Sequence, residues 1–401
     1  MAYNTSVKFF HSGMAGAPSL TGTAGAFIAM LDACLKDGFG QQTATSLIVS
    51  DGVATLTVPS THPFEVHTVA LVAGATPTGL NGEKRVLSRG SNTITFDATG
   101  IADGTATGTI TVKLAPAGWT KPLSGTNLAA YQSNNVASTK TYLRVDDTAA
   151  QNATVRAYES MSDINTGIGP CPTFGQAASV FWCKANASGG AARPWIVVAD
   201  DKTMWIKVCT VPNGSQNCGI IYGAGDFASR KSGDAYNFVL FGTTVDNSTV
   251  SSSPAANQYY GLAHIDYLGQ YSGWVMRSYT GVGGAAFAYK QNEGYCVPSA
   301  TGLTTGAYES GAAGLVAYPN PVDNALLLTR YLCNESGALR GQLRGPLYCP
   351  QTLPSGFTAL TLIDGVGPLS GRKIAPVNGN TPNTSTPDGR TVFFDLTGPW
   401  E

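Results

Sequence analysis

Leu47-Ile-Val-Ser-Asp51-Gly52-Val-Ala-Thr-Leu-Thr-Val58 is the stretch that decides the fold class. Two runs of alternating apolar and polar residues flank an Asp-Gly pair, and both positions of that pair tolerate the positive φ angles of a two-residue hairpin turn. Alternation with a period of two turns one face of each strand towards a core. The stretch therefore predicts an antiparallel β-hairpin.

Strand-like runs of the same kind continue on both sides of this hairpin. Short runs separated by turn residues extend over residues 43–115, which predicts a small β-barrel or β-sandwich module. Residues 116–138 are irregular and are predicted to be a linker. From about residue 139 strand-like runs return, so residues 139–401 are predicted to form a β-sandwich-rich domain, with one or two subdomains left open.

Residues 1–42 are predicted to be an N-terminal arm that carries one short helix. Phe27, Ile28, Leu31, Cys34 and Leu35 recur at helical spacing between Ala26 and Asp37. Thr21 or Thr23 is expected to cap the start of the helix, and Gly38 to take the left-handed position after its end. The predicted fold class is mainly β, with this single helix.

The composition excludes several classes of protein. Of the 401 residues, 43% are hydrophobic and only 12% are charged, and the formal net charge is −1. This apolar content is too high for a disordered chain. A chain without basic excess is not expected to bind nucleic acid or a membrane surface. Weakly charged surfaces associate readily, which favours a homo-oligomer.

The chain shows no sign of export or of membrane insertion. The N-terminal residues lack a basic segment followed by a long apolar run, so no signal peptide is predicted. No window approaches the ~18 consecutive apolar residues of a membrane helix. We therefore expect synthesis and folding in a cytoplasm.

The eight cysteines form no C-x-x-C pair, which argues against a zinc site. They are Cys34, Cys171, Cys183, Cys209, Cys218, Cys296, Cys333 and Cys349. Buried thiols are the expected state in a reducing cytoplasm, with late disulfides possible only after exposure to an oxidising environment. Cys209 and Cys218 flank a polar loop and are expected to lie close together.

The candidate catalytic and metal-binding residues are few and dispersed. His62 and His67 with Glu65 could hold a metal, and His264 with Asp266 could form a dyad, but a structural role is favoured for both sets. A paired-carboxylate site is the alternative, from Asp146, Asp147, Asp200, Asp201, Asp226 and Asp234. Most of these carboxylates stand in turn-like surroundings. We predict neither an enzyme nor a bound metal or cofactor.

Six tryptophans are candidates for stacking on a bound sugar. They are Trp119, Trp182, Trp195, Trp205, Trp274 and Trp400. Tryptophans carried on strands of an all-β protein more often fill its core. We therefore predict that these side chains are buried.

Three stretches resemble virion structural proteins of tailed bacteriophages. At the start they are Val7-Lys-Phe-Phe-His-Ser-Gly-Met-Ala-Gly-Ala-Pro18, Leu31-Asp-Ala-Cys-Leu35 and Gly38-Phe-Gly40. In the small module they include His62-Pro-Phe-Glu-Val66, Val72-Ala-Gly-Ala-Thr-Pro77 and Ser91-Asn-Thr-Ile-Thr-Phe96. The end, Phe394-Asp-Leu-Thr-Gly-Pro-Trp400, is similar to the end of the same proteins. Together these stretches cover roughly a third of the chain.

The resemblance implies a viral structural protein of the bacteriophage virion, most simply in the tail, baseplate or head-to-tail region. Its partners would be further copies of itself, as in a trimer, and other virion proteins. Phe9, Phe10 and Trp400 are the predicted interface residues. Docking of Trp400 onto its own domain is the alternative for that side chain. A host receptor-binding tail module and a capsid decoration protein are the alternative functions.

Overall fold

The computed structural model describes residues 3–212, 214, 216, 218–244, 246, 273–292, 297–299, 302–304, 318–335, 338–349, 351, 353, 357–379 and 391–401. Strands make up 46% and helices 6% of the structure. The prediction of a mainly β chain with one short helix is therefore confirmed.

The N-terminal segment is not a separate arm, because its strands pair with strands far along the chain. It contains β1 (Lys8–His11), β2 (Leu20–Gly22), α1 (Ala26–Leu31) and a π-helical turn (Asp32–Asp37). Gly38 follows with a positive φ of 71°, but its ψ of 173° lies outside the left-handed helical conformation predicted for it.

The prediction that Thr21 or Thr23 caps the helix is wrong. The hydroxyls of Thr21 and Thr23 hydrogen-bond to each other at 2.7 Å, and Gly25 takes the capping position without a side-chain bond. The first free amides of α1 donate instead to the carboxylate of Asp147. The helix is therefore capped from a distant part of the chain.

The small module consists of two open sheets, and neither closes into a barrel. Its strands are β3 (Gln42–Thr43), β4 (Ser46–Ser50), β5 (Val53–Thr57), β6 (Val69–Ala73), β7 (Gly82–Arg85), β8 (Ser88–Arg89), β9 (Thr93–Asp97), β10 (Gly104–Thr105) and β11 (Thr111–Leu114). One sheet has the order β10-β4-β5-β9-β8 and the other β3-β11-β6-β7. The predicted hairpin is confirmed, with φ angles of 51° at Asp51 and 74° at Gly52.

A six-stranded sheet follows, and it includes the interval predicted to be a linker. Its strands are β12 (Trp119–Gly125), β13 (Leu128–Ser133), β14 (Tyr142–Asp146), β15 (Asn152–Asp163), β16 (Thr166–Cys171) and β17 (Phe181–Cys183). Residues 116–138 thus contain two paired strands, which corrects the reading of this interval as irregular. Lys, Pro and Gly within β12 conceal its strand pattern, although Trp119 at its start is buried.

The remaining strands belong largely to one thirteen-stranded sheet. They are β18 (Gly189–Arg193), β19 (Trp195–Ala199), β20 (Thr203–Val208), β21 (Ile220–Asp226), β22 (Ala228–Ser229), β23 (Phe238–Phe241), β24 (Gly273–Val275), β25 (Ala286–Asn292), β26 (Val297–Ser299), β27 (Gly302–Thr304), β28 (Thr329–Glu335), β29 (Ala338–Tyr348), β30 (Ile363–Asp364), β31 (Lys373–Asn378) and β32 (Thr391–Asp395). The main order is β1-β19-β20-β21-β23-β24-β25-β28-β29-β32-β31-β30, and β22 pairs with β29. β18 pairs with β2, and β26 with β27.

This large sheet folds back on itself. Trp205 of β20 lies 6.3 Å from Phe394 of β32, measured between ring centroids. These strands are seven places apart in the sheet, which in a flat sheet would separate them by about 34 Å at ~4.8 Å per strand. Trp205 Nε1 also donates to the carbonyl of Arg344 in β29, at 2.8 Å. The two halves therefore pack face to face, as the predicted β-sandwich requires.

The six-stranded sheet and α1 cover the other face of the first half. Trp182 of β17 lies 6.2 Å from Tyr222 of β21 and 5.9 Å from Phe27 of α1. Its indole Nε1 donates to the carbonyl of Phe241 at 2.8 Å. Strands β19, β20 and β21 are consequently buried on both faces.

Candidate functional site

Arg85 lies where the N-terminal segment, the small module and the residues after β32 meet. Its side chain is buried, and its guanidinium donates to five backbone carbonyls. The acceptors are Asn4 (2.9 Å from Nε), Val7 (3.3 Å), His67 (2.6 Å), Leu396 (3.2 Å) and Thr397 (3.1 Å). We call this set, with Arg85, the terminal junction. One cation thus joins three segments that are far apart in sequence.

Burial lowers the pKa of Arg85 to about 10, although Asp395 and Glu83 act in the opposite direction. The group is still charged at neutral pH. Hydrogen bonds from a charged donor are stronger than those between neutral groups. Removing the guanidinium would leave several carbonyls without their donor in a place that water does not easily reach.

The C-terminal stretch supplies its side of the junction through a compact turn. Asp395 Oδ1 accepts from the amides of Thr397 (2.9 Å) and Gly398 (3.1 Å), and Oδ2 pairs with Arg372 at 2.8 Å. Trp400 Nε1 donates to the carbonyl of Asp395 at 2.8 Å. Gly398 has a φ of 62°, and a Cβ there would come within 2.5 Å of Val7 Cγ2. The turn therefore fits closely against the start of the chain.

A polar groove of about 550 Å³ runs beside the junction. Lys8 and Glu83 form an ion pair at 3.0 Å in its wall, and Asp201 accepts from Asn135 at 2.8 Å. Lys8, Glu83 and Asp201 therefore each have a partner within the protein. The groove is thus lined by groups that hold the elements together.

The predicted interface residues Phe9, Phe10 and Trp400 are all buried within the chain itself, at 3%, 1% and 5% exposure. Phe10 packs on Phe39, with ring centroids 5.8 Å apart. Trp400 covers Gly345, where a Cβ would lie 2.8 Å from its ring. The three side chains therefore serve internal packing, which is the alternative stated for Trp400.

Asp147 is fully buried and makes an ion pair with the fully buried Lys184. Its Oδ2 accepts from the amides of Phe27 (2.7 Å) and Ile28 (3.2 Å). Burial raises the pKa of Asp147 and lowers that of Lys184. Asp146, by contrast, is the last residue of β14 and accepts from the amide of Thr148. Asp147, the next residue, anchors α1.

Asp200 and Asp201 form the turn between β19 and β20, and Asp226 at the end of β21 lies at the same end of the sheet. The predicted tight turn at Asp200 and Asp201 is confirmed, because the Asp200 amide donates to Thr203 O at 2.9 Å. Asp200 Oδ2 also pairs with Arg344 at 2.6 Å. Asp226 accepts from the Thr139 amide (2.9 Å) and hydroxyl (2.7 Å), and burial raises its pKa to about 6. Each carboxylate therefore has a structural partner.

Asp234 belongs to a buried ion cluster centred on Arg340. The Arg340 guanidinium bonds both oxygens of Asp234 at 3.0 Å and Glu335 Oε2 at 2.8 Å. Burial raises the pKa of Asp234, but the hydrogen bonds from Arg340, Ser229 and the Tyr236 amide, together with the charge of Arg340, outweigh it, so the net shift is downward. The cluster locks β28 and β29 to the loop before β23.

The predicted histidine set does not come together. Glu65 pairs with His11, at 2.9 Å, rather than with His62 or His67. His62 is buried against Phe64, and burial lowers the pKa of both His62 and His67. In the described part of the chain no three His, Cys, Asp or Glu side chains are grouped to hold a metal ion. The proposed dyad of His264 and Asp266 lies outside the described residues.

All six tryptophans are buried, which confirms the prediction that they fill the core. The seven described cysteines are buried as well, and Cys296 lies outside the described residues. Cys209 and Cys218 are close together, as predicted, with their Sγ atoms 2.9 Å apart. No helix among the described residues is both long and apolar enough to cross a bilayer.

Sequence reasoning missed the three buried cations that organise this molecule: Arg85, Lys184 and Arg340. One signal was available. In a chain with only 12% charged residues, Lys184 and Arg340 each stand between apolar or small residues, in a strand or directly after one. A charge in such a position must find a partner when the strand is buried.

The chain matches no protein-family model and none of the curated proteins with which it was compared. Its function must therefore be argued from its own residues.

Proposed function

We propose that this chain is a structural protein of a tailed-bacteriophage particle. It would belong to the tail, baseplate or head-to-tail region and act as a homo-oligomer. The observation that carries the proposal is the terminal junction. The beginning, the small module and the end carry the resemblance to phage structural proteins, and residues of all three meet at Arg85. This contact is expected if the three stretches are parts of one building block.

The distribution of charge also supports assembly. At least seven of the 24 basic side chains are buried: Lys8, Arg85, Arg156, Lys184, Arg193, Lys207 and Arg340. The surface is therefore even less charged than the composition indicates. Weak charge repulsion favours close packing of copies in a particle.

Exposed apolar side chains supply candidate contacts between copies. Val136, Val322 and Val366 are 93%, 90% and 75% exposed. Single exposed apolar residues are common on monomers, so these positions become informative only when they are tested. Association of copies would bury them.

The test is to purify the phage particle that encodes this sequence and to locate the chain by mass spectrometry and cryo-electron microscopy. The proposal expects the chain at the tail end or the head-to-tail region, in a small symmetric set of copies. Hundreds of copies on the capsid would establish the decoration alternative instead. Absence from purified particles would overturn the structural role.

Receptor binding is the second candidate, because two exposed aromatic side chains lie on adjacent loops. Phe174 is 63% and Tyr279 is 40% exposed. Gln176 Nε2 bonds the carbonyl of Ala285 at 2.8 Å, which holds the two loops together. Exposed aromatic rings suit the apolar faces of sugars on a host surface.

A competition experiment separates this candidate from a purely structural role. Purified chain should block phage adsorption to host cells if it binds the receptor. The double variant Phe174→Ala/Tyr279→Ala should then lose the block, and Val366→Ala should keep it. No block by the unaltered chain would eliminate the receptor-binding candidate.

A further inference from the structure

Cys209 and Cys218 form a thiol pair at one end of the β20–β21 hairpin. Cys209 follows β20 directly, and Cys218 lies two residues before β21. Their Sγ atoms are 2.9 Å apart, and both side chains are buried. Val208 pairs with Ile220 just inside this position, so the strands hold the two cysteines at the hairpin end.

The backbone of the connecting loop packs closely against the sulfur atom of Cys209. Gly214 lies against Cys209 Sγ so closely that a Cβ at this position would collide with it. Lys207 Nζ donates to the carbonyl of Gln216 at 2.6 Å, which ties the connecting loop to β20. The cysteines can therefore join without a large displacement of the strands.

The electrostatic surroundings favour a thiolate at Cys209. Its hydrogen bond with Cys218 lowers the pKa of Cys209 to about 7, and the positive charges of Lys207 and Arg193 act in the same direction against burial. The thiolate is the reactive form of cysteine. Cys209 is therefore deprotonated more readily than an ordinary thiol.

Four other buried cysteines lack this property. Burial raises the pKa of Cys34 and Cys171, and it raises that of Cys333 and Cys349 to about 12. At neutral pH these four thiols remain protonated. The difference favours oxidation of Cys209 over these four cysteines.

We propose that Cys209 and Cys218 are a redox pair that a hydroperoxide converts into a disulfide. The Cys209 thiolate attacks one oxygen of hydrogen peroxide, and the O–O bond breaks. Cys209 becomes a sulfenic acid, and hydroxide is released. Hydroxide takes the proton of Cys218 and becomes water. The Cys218 thiolate then attacks the Cys209 sulfur, the S–O bond breaks, and the leaving hydroxide is protonated from solvent to a second water. Two thiols are oxidised, and one peroxide is reduced to two waters.

The inference stands independently of the proposed function. Its consequence is a covalent closure of the β20–β21 turn when the folded chain meets peroxide. Thiol reductants would reopen it.

The test is to treat the folded, full-length chain with a small excess of hydrogen peroxide, alkylate it in denaturant and digest it with trypsin. One tryptic peptide, residues 208–230, contains both cysteines and no other. We expect this peptide to lose two hydrogen masses and escape alkylation, while the intact chain falls from eight to six alkylated cysteines. Dithiothreitol should restore all eight.

Two variants control the experiment. Cys209→Ala should retain seven alkylated cysteines after peroxide, whereas the matched Cys349→Ala should fall from seven to five. The peptide readout on the unaltered chain does not depend on the folding of either variant. Alkylation of both cysteines in peptide 208–230 after peroxide, or loss of two thiols elsewhere in the chain, would overturn the proposal.

Discussion

The small module and the large sheet bury their strands in different ways. In β5 and β9 of the module every second residue is buried, including Leu56 and Phe96, and the residues between them remain partly exposed. In β20 and β21 of the large sheet every residue is buried. The module has one covered face per sheet, whereas β20 and β21 lie between the folded-back half of their own sheet and the six-stranded sheet.

This difference determines where charges can be placed. A strand of the module can direct a charged or polar side chain into solvent. A strand that is covered on both faces cannot, so Lys207 of β20 is buried and donates to the carbonyl of Gln216. A buried charge with its partner contributes little to the net free energy of unfolding, but removing one partner is strongly destabilising.

Adjacent substitutions within one strand test the comparison most strongly. In β20 we expect Trp205→Ala to cost about 3–5 kcal/mol and its neighbour Ile206→Ala about 2–5 kcal/mol, because both faces are packed. In β5 we expect Leu56→Ala to cost about 2–5 kcal/mol. Its neighbour Thr55→Ala should change the free energy of unfolding by no more than about 0.5 kcal/mol. Urea unfolding measures all four, and an Ile206→Ala as mild as Thr55→Ala would break the comparison.

Removal of a buried cation gives the next effect. Arg340→Met should lower the free energy of unfolding by about 3–5 kcal/mol, because it leaves Asp234 and Glu335 buried without their partner. The control is Arg330→Met, whose ion pair with Glu401 is exposed and should be worth no more than about 1 kcal/mol. Equal unfolding midpoints for the two variants would contradict the burial of the Arg340 cluster.

Asp226 makes part of the stability of the large sheet depend on pH. Burial raises its pKa to about 6 in the folded state, so the folded chain binds the proton more tightly than the unfolded chain. The stabilisation is present below the unfolded value near 4 and is lost as the pH rises through about 6, by about 3 kcal/mol in all. Asp226→Asn should remove this part of the pH dependence when the melting temperatures of the variant and wild type are compared across the pH range. Melting temperatures that change with pH in parallel would refute the assignment.

The module should respond to acid in the opposite direction, with the smallest effect. Burial and the charge of Arg89 lower the pKa of His62. The unfolded chain therefore binds the proton more tightly, and stability falls as the pH drops below the ordinary histidine value of about 6.5. His62→Gln should lose less stability than wild type on moving from about pH 7.5 to 5.5. An unchanged slope would show that His62 does not titrate on unfolding.

The same contrast explains which strands could be predicted. The hairpin at Asp51-Gly52 and the alternating runs around it carry a period of two, and β4, β5 and β9 lie where this pattern indicates. β21, Ile220–Asp226, was missed because it contains two glycines. Gly223 leaves room for the Trp205 ring on the neighbouring strand, and a Cβ there would collide with that ring. The glycine is required by the large side chain on the neighbouring strand, and the local sequence pattern does not show which strand is the neighbour.

The candidate site was less predictable than the fold. The proximity of Cys209 and Cys218 follows from the short loop between two strands, and it was expected. Arg85 could not be foreseen as the centre of the terminal junction, because its acceptors are backbone carbonyls up to 312 residues away. Backbone acceptors carry no side-chain signature in a sequence.

The terminal junction has a consequence for the order of synthesis. A ribosome makes Arg85 long before Leu396 and Thr397, so the guanidinium cannot bond these two acceptors until more than 300 further residues have been added. β1 likewise cannot pair until β19 has been made, because Lys8 pairs with Ala199. The hairpins of the small module, whose partners are local, can form while translation continues. These hairpins can therefore precede the terminal junction, which is complete only after Leu396 and Thr397 have been made.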